Sequence, residues 1–361
     1  MSDQTDGVSA TLMRGGTSKG VYLLSEDLPS DPDQRDDLLL RLLGSPDDRQ
    51  IDGVGGGHPL TSKVAIVGPS PDDDADVDYL FLQVGVDEAL VTDRQNCGNL
   101  LAGVGPFAVE RGLVSATDPA ATVRIRMLNT GGFAEARFPL RDAMPRYDGD
   151  TTICGVPGTA ARIDLFFEGI AGGSCGKLLP TGDSRDEIAG LHVTCVDNGM
   201  PVVLLRAADV GVAGHESCQE LEALPHLRER LATVRAEAGP LMGLGDVSQT
   251  TIPKLTLVAP PAGSGTVTTR TFIPHRCHSS IGVLGAVSVA TACLLPGSIA
   301  EEFVELGKDP SEVVLEHPTG IFTATVALAT DTEGRPTVER AGIVRTARKL
   351  MDGRVFPRPT T

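Results

Sequence analysis

The chain contains no tryptophan, and aromatic side chains supply only 4% of its 361 residues. That poverty argues against a surface that anchors partners or stacks bases through rings. Positive charge is also scarce: 31 Lys and Arg face 48 Asp and Glu, for a formal net charge of −17. Such a field repels nucleic acid and anionic lipid. Neither nucleic acid nor a membrane is therefore expected as a partner, and an anionic ligand needs a local cationic pocket. No Cys-x-x-Cys pair occurs among the seven cysteines, at 97, 154, 175, 195, 218, 277 and 293. Their odd number and uneven spacing weigh against a zinc ribbon or a disulfide framework, so reduced thiols in a cytoplasm are expected. No metal is expected: His275, Cys277 and His278 are too crowded to meet one ion easily. The glycine-rich turn at 14–20 lacks the Gly-Lys-Ser/Thr step of a phosphate loop. The longest apolar run, 281–295, is too short to span a bilayer and carries Ser and Thr. The acidic opening at 1–6 has no apolar stretch of the secretory kind.

What is present is glycine and small aliphatics: 42 glycines, and 41% hydrophobic residues overall. This length suits two domains, and the composition suits tightly wound α+β structure. Strands are expected at 10–13 and 21–24, with the turn between them carrying Arg14, Ser18 and Lys19, a grouping suited to anions. The segment 31–43 reads as a helix stopped by Gly44-Ser45-Pro46. The glycine loop at 53–57 and His58 lead into Leu60-Thr61-Ser62-Lys63-Val64-Ala65-Ile66-Val67. A lysine inside a β-branched run is either an edge gatekeeper or a placed base, and the glycine loop before it favours the base.

The chain is organised around Asn96-Cys97-Gly98-Asn99 and the helix that follows. From Leu100 to Val109 nearly every residue is apolar, as in a helix buried on all sides. Its first turn offers unpaired N–H groups and the positive end of a dipole beside a thiol. That setting favours thiolate and attracts carboxylates.

The same order then recurs. A strand pair is expected at 191–196 and 201–205, followed by a helix at 215–237 that Pro225 breaks. Thr251-Ile252-Pro253-Lys254-Leu255-Thr256-Leu257-Val258 then matches the Lys63 strand. Cys277 stands before a second wholly apolar helix after 281. Hairpin, helix, lysine strand, cysteine and buried helix occur twice, which points to duplication. The expected domains are 1–185, with Lys63 and Cys97, and 186–361, whose last strand or tail can pack on the first. Each is an α+β unit, a rolled mixed sheet around a central buried helix, the two related by a pseudo-two-fold. The basic tail at 345–349 reads as ordinary surface.

A lysine and a thiol at a helix N-terminus suit proton transfer at a carbon next to a carboxylate or carbonyl, because the helix N–H groups can hold the enolate that forms. Lys63 and Cys97 are the expected catalytic pair; which is base and which is acid stays open. Arg14, Arg94 and Arg276 are assigned to carboxylates. Ser18, Gly57, His58, Ser62, Asn96, Gly98, Asn99, Cys277, His278 and Ser279 complete the expected substrate contacts. Cys277 is also an alternative second thiol. A structural role is the better reading of His58 and His317.

Several long motifs resemble one family. They are Met13-Arg14-Gly15-Gly16-Thr17-Ser18-Lys19-Gly20, the run Gly55-Gly56-Gly57-His58-Pro59-Leu60-Thr61-Ser62-Lys63, and Asn96-Cys97-Gly98-Asn99 through Gly105-Pro106-Phe107. Leu178-Leu179-Pro180-Thr181-Gly182 and His317-Pro318-Thr319-Gly320 join them. Together they resemble the PrpF family along almost the whole chain. The resemblance implies a diaminopimelate-epimerase-like fold, an isomerase needing no cofactor, and a catalytic lysine and cysteine at Lys63 and Cys97. It implies a small di- or tricarboxylate as substrate and leaves a homodimer open. Arg49-Gln50-Ile51-Asp52-Gly53, Asp76-Val77-Asp78-Tyr79-Leu80-Phe81 and Arg276-Cys277-His278 are most similar to the branch acting on 4-oxalomesaconate. The alternatives are 2-methylaconitate isomerisation and a non-catalytic accessory to an aconitase-like enzyme.

Overall fold

The computed structural model describes residues 7–94, 97–304, 307 and 309–360. The chain divides into two compact units, Met1–Phe166 with Val344–Thr361, and Phe167–Ile343. The division falls earlier than 185/186 because the segment after Phe167 is tied to the second unit. Gly172 N–H donates to the Asp197 carbonyl at 2.7 Å, and Asp197 N–H donates to that of Leu178 at 2.9 Å. The Asp197 carboxylate accepts from Ser174 and Cys175 N–H, both at 2.8 Å.

The first unit begins with β1 (Val8–Gly15), β2 (Ser18–Leu24) and α1 (Pro32–Leu43). α1 starts where the sequence says it should. Pro32 supplies a fixed φ at the first position, and Asp31 caps it by accepting from Gln34 N–H at 3.0 Å. Then come β3 (Lys63–Pro69), β4 (Val77–Val84), β5 (Val91–Thr92), α2 (Gly98–Glu110), β6 (Ala120–Met127), β7 (Gly132–Arg141), β8 (Met144–Pro145) and β9 (Ile163–Phe167). β2 pairs in parallel with β3, β3 antiparallel with β4, β4 parallel with β6, and β6 antiparallel with β7.

Alternation assigns the two sheet faces. Val21, Leu23, Val64, Ile66, Leu82 and Val84 pack with Leu39, Leu42 and Leu43 of α1 in one core cluster. The intervening residues, Tyr22, Lys63, Ala65, Tyr79, Phe81 and Gln83, therefore face the other way, towards α2. β3 is buried from Lys63 to Gly68 because helices cover both of its faces. Ten of the thirteen residues of α2 are buried, as its uniform apolarity requires.

The second unit contains β10 (Asp186–Ile188), β11 (Leu191–Asp197), β12 (Pro201–Arg206), α3 (Cys218–Glu222), α4 (Pro225–Leu241), β13 (Lys254–Ala259), β14 (Val267–Ile273), β15 (Arg276–Cys277), α5 (Val283–Leu294), β16 (Glu312–His317) and β17 (Gly320–Thr330). β18 (Pro336–Arg345) returns the chain to the first unit, where β19 (Ala347–Val355) pairs antiparallel with β1. Pro225 does interrupt the expected helix: it opens α4 rather than continuing α3. The pairing order repeats, with β12 parallel to β13, β13 antiparallel to β14, β14 parallel to β16 and β16 antiparallel to β17. α5 is the buried counterpart of α2 and Lys254 the counterpart of Lys63, each opening its strand.

One expected equivalence is displaced. Thr92 closes β5 and Cys97 is the N-cap of α2, whereas Cys277 closes β15 and Gly282 is the N-cap of α5. The residue standing where Cys97 stands is Gly282, and Cys277 corresponds to Thr92. The duplicated unit carries one helix-capping thiol, not two.

Candidate active site

Cys97 is 9% exposed at the N-cap of α2, with extended backbone. Two fully buried tyrosines fix the helix end. Tyr79 Oη donates to the Cys97 carbonyl at 3.3 Å, and Tyr22 Oη donates to the Leu100 carbonyl at 2.5 Å. Burial pushes both phenols well above their ordinary range, so they stay protonated and keep donating to the helix carbonyls. Gly103 leaves room for the Tyr22 phenol: a β-carbon there would lie 2.5 Å from its oxygen.

Lys63 is 8% exposed. Its Nζ donates to Gln83 Oε1 at 2.6 Å and lies 4.9 Å from the centre of the Phe81 ring. The Gln83 amide is oriented unambiguously, because its nitrogen donates to the carbonyls of Ser62 at 2.8 Å and Pro59 at 3.1 Å. The partner of the amine is thus a neutral oxygen. Burial holds Lys63 below its usual range, and a thiolate at Cys97 would oppose that shift.

A second cation belongs to this group. Arg345 is 7% exposed at the end of β18, and burial lowers its guanidinium to about 10, a shift that a thiolate at Cys97 would oppose. The next residue ties this segment to the helix mouth. Gly16 N–H donates to the Thr346 carbonyl at 2.9 Å, and Gly16 abuts the Asn99 side chain. The basic run at 345–349 is therefore not ordinary surface at its first residue. A cation ending an apolar strand, Ala341-Gly342-Ile343-Val344-Arg345, is the same signal that marks Lys63. The chain has only three tyrosines; Tyr22 and Tyr79 support the thiol's helix, a clustering visible in the sequence.

Among the expected contacts, Ser18 is 2% exposed and its hydroxyl has no hydrogen-bond partner among the described residues. Gly98 begins α2, and Asn99 Nδ2 donates to Thr17 Oγ1 at 3.1 Å. Other residues are committed elsewhere. The Ser62 hydroxyl donates to the Val84 carbonyl at 2.9 Å and accepts from Gln50 Nε2 at 2.7 Å. Gly57 N–H donates to Gln50 Oε1 at 3.0 Å, and exposed His58 accepts from Leu60 N–H at 3.0 Å. Arg94 is exposed, and Asn96 lies outside the described residues. Arg14 Nη1 donates to the carbonyls of Gly16 at 2.8 Å and Thr346 at 3.0 Å.

In the second unit, Arg276 is exposed beside Glu222, Arg228 and His275. Cys277 N–H donates to Glu222 Oε1 at 2.9 Å, and burial beside Cys218 pushes its thiol well above the ordinary range. His278 Nδ1 accepts from Ser280 N–H at 2.9 Å, and the Ser279 carbonyl accepts from Thr319 Oγ1 at 2.7 Å. His317 Nε2 and the Ser280 hydroxyl are 3.2 Å apart.

A sheet packed on a buried helix, with a buried lysine and arginine in the same unit as the thiol at that helix's N-terminus, is an α+β arrangement suited to proton transfer. The chain belongs to the PrpF family: residues 6–358 match the family described as PrpF protein. It is 56% identical to "4-oxalomesaconate tautomerase" of Pseudomonas putida, covering 96% of this chain and 95% of that protein. It is 53% identical to "(4E)-oxalomesaconate Delta-isomerase" of Novosphingobium sp., covering 97% and 98%. The crystal structure of a methylitaconate-delta-isomerase superposes with a TM-score of 0.88 at 34% identity, covering 99% of this chain and 96% of that one.

Proposed function

We propose that this protein catalyses a 1,3-proton shift on 4-oxalomesaconate in the cytoplasmic breakdown of aromatic acids of the gallate and protocatechuate type. The observation that supports the reading is a buried Lys63, its amine held by the neutral Gln83 oxygen on the α2-facing side of β3, together with the buried Cys97 at the N-cap of α2. The neutral Lys63 amine takes a proton from the methylene between the keto group and the double bond. The C–H electron pair passes into the conjugated system as a dienolate. Arg345 and the first N–H groups of α2 hold that charge. The Cys97 thiol gives its proton to the other end of the system. Protonation on oxygen yields the enol tautomer; protonation on the far carbon moves the double bond. Solvent exchange then returns the ammonium and thiolate to amine and thiol. Ser18, Gly98 N–H and Asn99 contact the carboxylates.

The test is NMR of substrate in D2O. The expected result is isomerisation of 4-oxalomesaconate with deuterium entering at the shifted position, at a kcat/KM at least about tenfold above that for 2-methylaconitate. Preference for 2-methylaconitate moves the assignment to that substrate. Turnover of neither overturns the enzyme reading.

A further inference from the structure

The first unit also contains a cavity of about 60 Å³, bordered by Arg14, Tyr147, Asp148, Thr151, Thr159 and Arg348, that no step of the proton transfer uses. Arg14 and Arg348 are direct cross-strand partners in the β1–β19 ladder. Like charges placed opposite one another cost stability, and neither arginine makes a salt bridge among the described residues. That is unexpected in a chain with 48 acidic residues. Asp148 borders the cavity as well, but its carbonyl, not its carboxylate, accepts from Arg146 at 2.7 Å, and the lining keeps a net positive charge.

The geometry is set for a ligand rather than for packing. Arg14 Nη1 is anchored on the Gly16 carbonyl and on both oxygens of Thr346, the last at 3.0 Å, which fixes the fork in one orientation. Its remaining N–H groups have no partner among the described residues. The Tyr147 hydroxyl donates to Glu110 at 3.1 Å, and Glu110 also pairs with Lys349 at 3.0 Å. The Glu110 carboxylate is thus occupied by Tyr147 and Lys349 and not by either arginine among the described residues. A volume of this size has room for a carboxylate- or phosphate-sized group.

We propose that Arg14 and Arg348, with the hydroxyls of Thr151 and Thr159, form an oxyanion pocket for one carboxylate or phosphate group. The pocket stands on its own lining and does not depend on the isomerase reading.

The test is titration of the intact protein with inorganic phosphate at fixed ionic strength, read by 31P NMR line broadening. Wild-type protein should show saturable binding, Arg348→Gln should weaken it at least about tenfold, and Arg348→Lys should fall between them. A thermal melt of each variant shows that it is folded. Absence of saturation, or equal binding by wild type and Arg348→Gln, overturns the pocket. Competition identifies the occupant. If phosphate raises KM for 4-oxalomesaconate, the pocket takes one carboxylate of the substrate. If phosphate binds and leaves the kinetics unchanged, it takes a separate small anion.

Discussion

Lys63 is tuned by what it lacks. A carboxylate partner would lock it as ammonium; the Gln83 amide oxygen at 2.6 Å orients the amine without supplying a countercharge. Burial lowers the lysine from its ordinary value, so neutral amine becomes available as pH climbs through that lowered pKa. The same burial costs stability while the group is charged, and the cost is relieved as pH rises towards the unfolded value. The hydrogen bond to Gln83 favours the charged form. Gln83→Met should therefore move the acid limb of kcat/KM to lower pH, while lowering the maximum by about 10–100-fold through lost orientation. A pH–rate profile checks this; a uniform loss at every pH with the limb unmoved would mean that Gln83 is only structural. At this scale Lys63 and Cys97 were legible because each breaks its local pattern, a cation in a β-branched strand and a thiol in a polar turn. Arg345 was misread because a run of basic residues at 345–349 resembles a solvated tail, and burial of its first member depends on the distant pairing of β19 with β1.

The critical element is α2, whose position is set by close contact rather than by a polar face. A β-carbon on Gly15 would collide with the Asn99 carbonyl oxygen and approach the Tyr22 hydroxyl to 2.9 Å. Gly15→Ala should push the first turn of α2 away from Lys63. The expected losses are about 1–3 kcal/mol of stability, read by urea unfolding, and about 100-fold in kcat/KM. Wild-type kinetics in that variant would show that the helix mouth tolerates displacement. The helix and lysine strand of each half were readable from uniform apolarity and β-branching. The start of α5 was not: a cysteine before an apolar run suggested a second capping thiol, yet Gly282 holds that position. Spacing from the preceding strand decides the cap, and that strand, β15, has only two residues and no pattern of its own.

Over the whole molecule, duplication accounts for most of what could be read in advance. Two units with one pairing order follow from two copies of one sequence order. The exact division did not follow, because the ties from the 172–178 segment to Asp197 are long-range hydrogen bonds with no local sequence signature. Among the described residues, no helix is long and apolar enough to cross a membrane. The net charge of −17 repels a tricarboxylate from the surface at large. The buried Arg345 and the first N–H groups of α2 must then supply the attraction locally, which leaves the Lys63 amine neutral to take the proton. The most direct measurement is deuterium incorporation from D2O into 4-oxalomesaconate by folded Lys63→Met and Cys97→Ser proteins, compared with wild type. The expected result is loss of isomerisation in both variants by at least about 100-fold, with wild-type thermal stability. Isomerisation and exchange at wild-type rates in either variant would contradict an amine and a thiol acting as the proton-transfer pair.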